Sequence, residues 1–200
     1  MKAKKKLLSI ILMVVMCIFA AVALTGCSSS NDKKPTGAQT TDDSLAKIKA
    51  KGKLVVGINA EFAPFEFHAI VDGKDKVVGF DVDVAREIAK DMGVELELKE
   101  LAFDALLTTL QQGQVDVIIS ALSATEERRK TVDFSDPYFF GTQVLLTTKN
   151  NLDKFNSFDD LKDRKIGLQL SSLQDKLMQT ILPNGKYTKI ESMNTLFLSL

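Results

Sequence analysis

Short apolar runs alternate with amphipathic stretches from Lys53 onward, and this alternation restricts the fold more than any other feature of the chain. Residues 53–59 (KLVVGIN) read as a short apolar strand. Residues 94–101 (VELELKEL) alternate strictly, which predicts a half-buried strand near a sheet edge. Residues 115–120 (VDVIIS) predict a buried strand. Between the first two, Val84, Ala85, Ile88, Ala89 and Met92 share one helical face, with Asp81 as the expected N-cap and Gly93 as the stop. Phe103, Leu106, Leu107 and Leu110 form the next stripe, ended by Gly113. Strand–helix–strand repeats of this length imply parallel β-α-β units with right-handed crossovers.

After Pro137 the pattern restarts. A strand is expected over 141–148 (GTQVLLTT) and another over 165–168, followed by a helix over 172–181. Pro183-Asn184-Gly185 reads as a turn, 187–191 as a strand, and 194–200 as the opening of a further helix. This second α/β unit reads as unfinished, and the sequence as a truncated chain.

The first 26 residues are expected to lie outside the fold. Lys2, Lys4, Lys5 and Lys6 precede an almost unbroken apolar run over 7–24, and small residues then surround Cys27. Charge, apolar run and small residues in that order make a secretion signal, with a retained transmembrane helix as the alternative. Removing it takes away four lysines, no acidic residue and Cys17, so the remainder is mildly acidic. Residues 28–43 (SSSNDKKPTGAQTTDD) hold one apolar side chain, Ala38, and read as a flexible tether. Beyond the leader no basic run exists, so a nucleic-acid partner has no electrostatic footprint.

In open α/β sheets, ligands bind beyond the carboxyl ends of strands. After 115–120, Ser123 and Glu126 fit an S-x-x-E capping box, which predicts a helix start with free N–H groups. Arg128, one turn in, can fork onto a carboxylate with two parallel hydrogen bonds. Spacing alone leaves a capped surface helix with a solvated arginine open. Gln169 to Gln174, after the strand at 165–168, is a second strand-to-helix turn with hydroxyls, and N-capping serines explain it equally well. Residues 59–67 (NAEFAPFEF) place three aromatics around Pro64 in an expected loop, either packing the loop or walling an apolar pocket that Phe103 would face.

Three segments carry a resemblance. GINAEFAPFEF, GKDKVVGFDVDVAREIAKDMG and FDALLTTLQQGQVDVIISALSATEERRKTVDFSDPYF, in this order, resemble the family 3 extracellular solute-binding proteins, the polar amino-acid receptors of ABC importers. The resemblance implies a type II periplasmic-binding-protein fold, α/β, with two lobes of mostly parallel sheets joined by hinge strands. Lobe 1 would span 44–140, and 141–200 would form the hinge and part of lobe 2. It also implies that Arg128 holds the ligand α-carboxylate, that Ser123, Ser120 and Ala121 help hold the ligand, and that Phe62 and Phe103 bracket its side chain. Ser172 and Gln174 would close from the other lobe. Asn59 and Glu61, beside the aromatic stretch, could face the ligand's distal end, where Glu61 would favour a cationic ligand such as lysine or arginine unless it points to solvent. Leu-Thr-Gly-Cys resembles the lipobox of bacterial lipoproteins, so Cys27 would carry lipid and hold the protein at the extracytoplasmic face of the membrane. The implied partners are a free amino acid and a membrane permease, and the implied state is a monomer. Where the family usually has Gly-Thr, this chain has Ser171-Ser172-Leu173, and the family's acid for the ligand ammonium is expected after Leu200.

Two rivals follow from the same fold: a dehydratase of prephenate-like substrates, and the sensory domain of a receptor. The first needs a poised general acid, for which Glu61 and Glu66 are the candidates, although both read as surface carboxylates. No cofactor is expected. No metal site is expected either: Asp81 and Asp83 read as charging a helix N-terminus, and His68 as solvated in a loop.

Overall fold

The computed structural model describes residues 43–200; the expected signal peptide over 1–26, Cys27 and nearly all of the tether lie outside the described residues. Helix α1 (Ser44–Lys51) closes on Gly52 and delivers the chain into β1 (Lys53–Ile58). Five consecutive β1 residues are buried, which suits a strand covered on both faces. It is accordingly the centre of a three-stranded parallel sheet of order β5-β1-β6, with β5 at Glu95–Glu100 and β6 at Val117–Ile118. The alternating β5 is an edge, as its pattern predicts. The expected third strand shrinks to two residues, because the Asp116 carboxylate takes the Val55 N–H at 2.7 Å beside it.

Helix α2 (Phe80–Met92) crosses between β1 and β5 and ends on Gly93, as expected. Its N-cap, however, is Gly79 and not Asp81. A Cβ at 79 would overlap the carbonyl oxygens of Phe65 and Pro64, and the φ of 128° there favours glycine. Asp81 sits inside the first turn, fully buried, because its carboxylate is turned inward. Leu54, Val56, Ala85, Ala89 and Ile119 pack together between helix and sheet as the core of this unit. A 3-10 turn at Phe103–Ala105 leads into α3 (Leu106–Gln111), and Gly113 follows with positive φ.

The segment expected as a loop around 59–73 is instead an antiparallel sheet: β2 (Glu61–Phe62), β3 (Glu66–Val71) and β4 (Lys74–Val78). Asp72 and Gly73, with φ of 54° and 71°, make the two-residue connection between β3 and β4. An Asp-Gly pair between strands is a strong hairpin signal, and it was available in the sequence. His68 is therefore a strand residue, contacting Asp75 at 3.0 Å and Glu100 at 2.8 Å.

Two further elements depart from expectation. Residues 141–148 form no strand; 141–146 are exposed, Thr147 and Thr148 are half-buried, and none has a ladder partner among the described residues. Apolar content alone does not make a strand, since its N–H and C=O groups need a neighbour. The C-terminal unit does form: β7 (Lys165–Gln169), α4 (Leu173–Ile181), β8 (Lys186–Ile190) and α5 (Met193–Leu198). β7 and β8 pair in parallel, and Leu161, Ile166, Leu168, Met178 and Leu182 are buried together.

Candidate functional site

The carboxyl ends of β1, β6 and β7 open onto one cleft. The residues that follow those strand ends are Asn59, Ser120 with Ala121, and Ser172, and all four line it. Phe62, Phe103, Ser123, Arg128 and Gln174 complete the set expected from the sequence, so the fold gathers every one of those residues around one space. Glu66, a candidate only under the dehydratase reading, also lines it, as do Gln169, Leu173 and Met193, which were not anticipated as site residues.

Arg128 is the central group. Its Nη1 donates to the Ser123 carbonyl at 2.8 Å, and its Nη2 to the Ser171 carbonyl at 3.0 Å. Its guanidinium carbon lies 5.7 Å from the centre of the Phe103 ring. Both hydrogen-bond partners are neutral, and no ion pair among the described residues involves Arg128. The adjacent Glu127 is taken by Lys176 at 2.5 Å. Burial lowers the Arg128 pKa and Glu127 opposes that shift, yet a guanidinium keeps its charge in proteins. The result is a half-buried cation with donors to spare.

The helix expected to start at Ser123 is absent. Only a single 3-10 turn, Arg128–Lys130, follows, and the Thr125 hydroxyl accepts the Arg128 N–H at 3.2 Å. Thr125 stands three residues before Arg128, within reach of its N–H, whereas Ser123 stands five before it. Ser123 contributes its carbonyl to the site and does not cap a helix. A helix N-terminus therefore adds little here, and Arg128 supplies the positive charge.

The other polar groups are largely committed to one another. The Asn59 side chain donates to the Leu101 carbonyl at 2.9 Å and accepts from Gln169 at 3.2 Å, joining the two α/β units. Ser120 Oγ accepts the Asn59 N–H at 2.9 Å and donates to Glu66 at 3.0 Å. Ser172 caps α4, accepting the Asp175 N–H at 3.1 Å. Gln174 donates to Gln143 at 2.7 Å. Ala121 and Ser171 both hold positive φ, at 45° and 61°, so backbone strain collects on two sides of the cleft.

The two glutamates expected at the surface are not there. Glu61 accepts the Ser192 hydroxyl at 3.0 Å and the Met193 N–H at 2.6 Å, capping α5, so both oxygens are occupied. Glu66 is 1% exposed. Burial first, then the Asp81 charge, pushes its pKa up to about 9. The pattern that could have revealed it is the β3 alternation, which turns Glu66 inward at the strand's start. Among the described residues no group of three or more His, Cys, Asp or Glu is placed to hold a metal ion.

Residues 54–194 match the family described as bacterial extracellular solute-binding proteins, family 3. The arginine-binding extracellular protein ArtP of Bacillus subtilis (strain 168) is 35% identical over 92% of this chain and 64% of its own length. A glutamine-binding protein of Geobacillus stearothermophilus is 41% identical over 76% of the chain and 60% of its own length. The chain thus spans less than two thirds of these two curated relatives. Among solved structures, an amino-acid ABC transporter substrate-binding protein from Streptococcus pneumoniae Canada MDR_19A, bound to L-arginine, superposes with a TM-score of 0.77. It is 37% identical, over 78% of this chain and 65% of that one.

Proposed function

Because this chain belongs to the bacterial extracellular solute-binding proteins, family 3, we propose that it captures a free amino acid outside the cell and presents it to the permease of an ABC importer. Its fold is the type II periplasmic-binding-protein fold, of which the described residues supply part. One observation carries the reading: Arg128 is a half-buried cation in a cleft, bonded only to carbonyls. Burying a charge is unfavourable unless a partner arrives, and the carboxylate of an amino acid has the matching planar geometry.

The cleft lies between two α/β units, and we place the lobes at 44–140 and from 141 onward, with the hinge near 140–142. A ligand touching Arg128 and Asn59 on one side and Ser172 and Gln174 on the other favours the closed arrangement, because only there does it meet both. Lipid on Cys27 and the polar stretch after it would tether the domain to the outer face of the membrane. The names of the relatives point to different amino acids, so we assign the class and not the member. Glu61 lends no support to a cationic side chain, since its oxygens already cap α5.

A dehydratase reading draws on Glu66, a carboxyl group lining the cleft with a raised pKa. Its Oε1 faces Ser120 and its other neighbour is Asp81, so no oxygen is aimed at a bound substrate. Binding is the better account. A thermal-shift screen of the twenty amino acids, followed by calorimetry, tests it. At least one should raise Tm as its concentration passes Kd. If none shifts Tm while prephenate is turned over, the capture reading is wrong.

A further inference from the structure

We infer that Glu66 is a positioning residue for the cleft: as a neutral carboxylic acid it accepts the Ser120 hydroxyl proton and donates its own to Asp81, tying Ser120 and Ala121 to α2. Its consequence for binding rests on the amino-acid reading above; its protonation does not.

Two buried carboxyl oxygens are orphaned. Glu66 Oε2 and Asp81 Oδ1 are buried and have no hydrogen-bond partner. Their residues are 1% and 0% exposed, and their other oxygens are bonded to consecutive residues, Ser120 and Ala121, which brings the two buried carboxyl groups to one place. Two carboxylates cannot bond one another, since each only accepts. A single proton between Oε2 and Oδ1 satisfies both orphans and removes one of two facing charges.

The remaining contacts decide which group carries it. Asp81 Oδ2 accepts the Ala121 N–H at 2.6 Å and the Tyr138 hydroxyl at 3.1 Å, so donors already surround Asp81. Glu66 Oε1 has only the Ser120 hydroxyl, whose oxygen in turn accepts the Asn59 N–H. The chain therefore runs from Asn59 through Ser120 and Glu66 to Asp81, where Ala121 and Tyr138 also end. The raised Glu66 pKa agrees with this direction, with burial as its first cause and Asp81 as its second. The Tyr138 pKa also rises, through burial and then the same carboxylate.

The titratable groups facing Glu66 are Asp81 from α2 and Tyr138 from the segment after the Arg128 turn; Arg128 lines the same cleft but gives its fork to Ser123 and Ser171. Ala121 keeps its positive φ through the bond to Asp81. Ionising Glu66 removes the proton between the two carboxyl groups and sets two negative charges against each other, which pushes apart the groups that hold Ser120 and Ala121 at the cleft.

The test uses the whole chain, with ¹³C-labelled glutamate and the Glu66 carboxyl resonance assigned from its absence in Glu66→Gln. The ligand-free protein should titrate at Glu66 near 9, far above the ordinary value of 4.5. A midpoint in the ordinary range overturns the protonation. Glu66→Leu breaks both ends of the chain and should weaken binding of L-arginine, or of the best amino acid in the screen, by about tenfold or more. Glu66→Gln keeps an acceptor for Ser120 and a donor for Asp81, so it should rescue that loss and abolish the wild-type fall in affinity at alkaline pH. A Gln variant as weak as the Leu variant, or one that keeps the alkaline fall, overturns the positioning role. Should no amino acid bind, the capture reading fails by itself, and urea unfolding still decides Glu66. Unfolded Glu66 releases its proton near 4.5 and folded Glu66 near 9, so wild-type stability should decline across that window. Glu66→Gln should lack that part of the slope.

Discussion

Replacing Arg128 by alanine removes the one basic side chain among the described residues that line the cleft. In the free protein the loss is small. The guanidinium makes two hydrogen bonds to carbonyls from a half-exposed position, so stability should fall by about 1 kcal/mol or less. In the complex the loss is large, because the ligand carboxylate would be buried between the two units without a partner. Truncating one member of a buried, hydrogen-bonded charge pair costs about 2–5 kcal/mol, or roughly 30- to 5,000-fold in Kd. Arg128→Lys keeps the charge but replaces the planar fork by a point donor, so it should fall between, at about tenfold. Isothermal titration with the best amino acid from the screen reads all three proteins, and urea unfolding of the ligand-free forms separates stability from affinity. Wild-type affinity in Arg128→Ala, with the fold intact, would refute the assignment and leave the cleft without a carboxylate receptor. A loss equal for an amino acid and for its decarboxylated amine would refute it too, since the amine has no carboxylate for Arg128 to hold.

Three other outcomes are expected. Glu61→Ala removes the acceptor of both the Met193 N–H and the Ser192 hydroxyl, which should cost about 1–2 kcal/mol and let the ligand-free units separate; urea unfolding and small-angle scattering would record it, and unchanged curves would count against the cap. Leu106→Ala empties a fully buried site beside β1 and should lower stability by about 2–5 kcal/mol in urea, with less than about 1 kcal/mol contradicting the packing. Gly79→Ala forces a Cβ onto the carbonyls of Phe65 and Pro64 at a φ of 128°, and it should abolish cooperative unfolding or cost about 3 kcal/mol or more; wild-type Tm would show that this turn relaxes freely.

The alternation of apolar runs with amphipathic stretches determined most of this fold, because a parallel β-α-β unit leaves few other ways to bury such a pattern. β1, β5, α2, β7 and α4 lie within a residue or two of their expected places, apart from the expected cap of α2. The nine expected site residues share a cleft, most of them because loops after parallel strands emerge at the carboxyl end of their sheet; Phe62 reaches it from the antiparallel β2, and Ser172 and Gln174 from the separate β7-β8 sheet. The tertiary structure alone decided what each polar side chain does there. Local spacing favoured Ser123 as a cap, yet no helix starts there, and the Thr125 hydroxyl takes the Arg128 N–H of the short turn that follows. Asp81 reads as a cap in any one-dimensional account, and only the approach of Ala121 and Tyr138 turns it inward. Apolar residues 141–148 lack a ladder because pairing needs a neighbour, which no property of the segment itself supplies. Glu66 and Glu61 look alike in sequence and end in different roles, one buried against a second carboxyl group and one capping a distant helix. Burial and partnership belong to pairs of elements brought together by folding, so the character of a carboxyl group is settled only when its neighbours arrive.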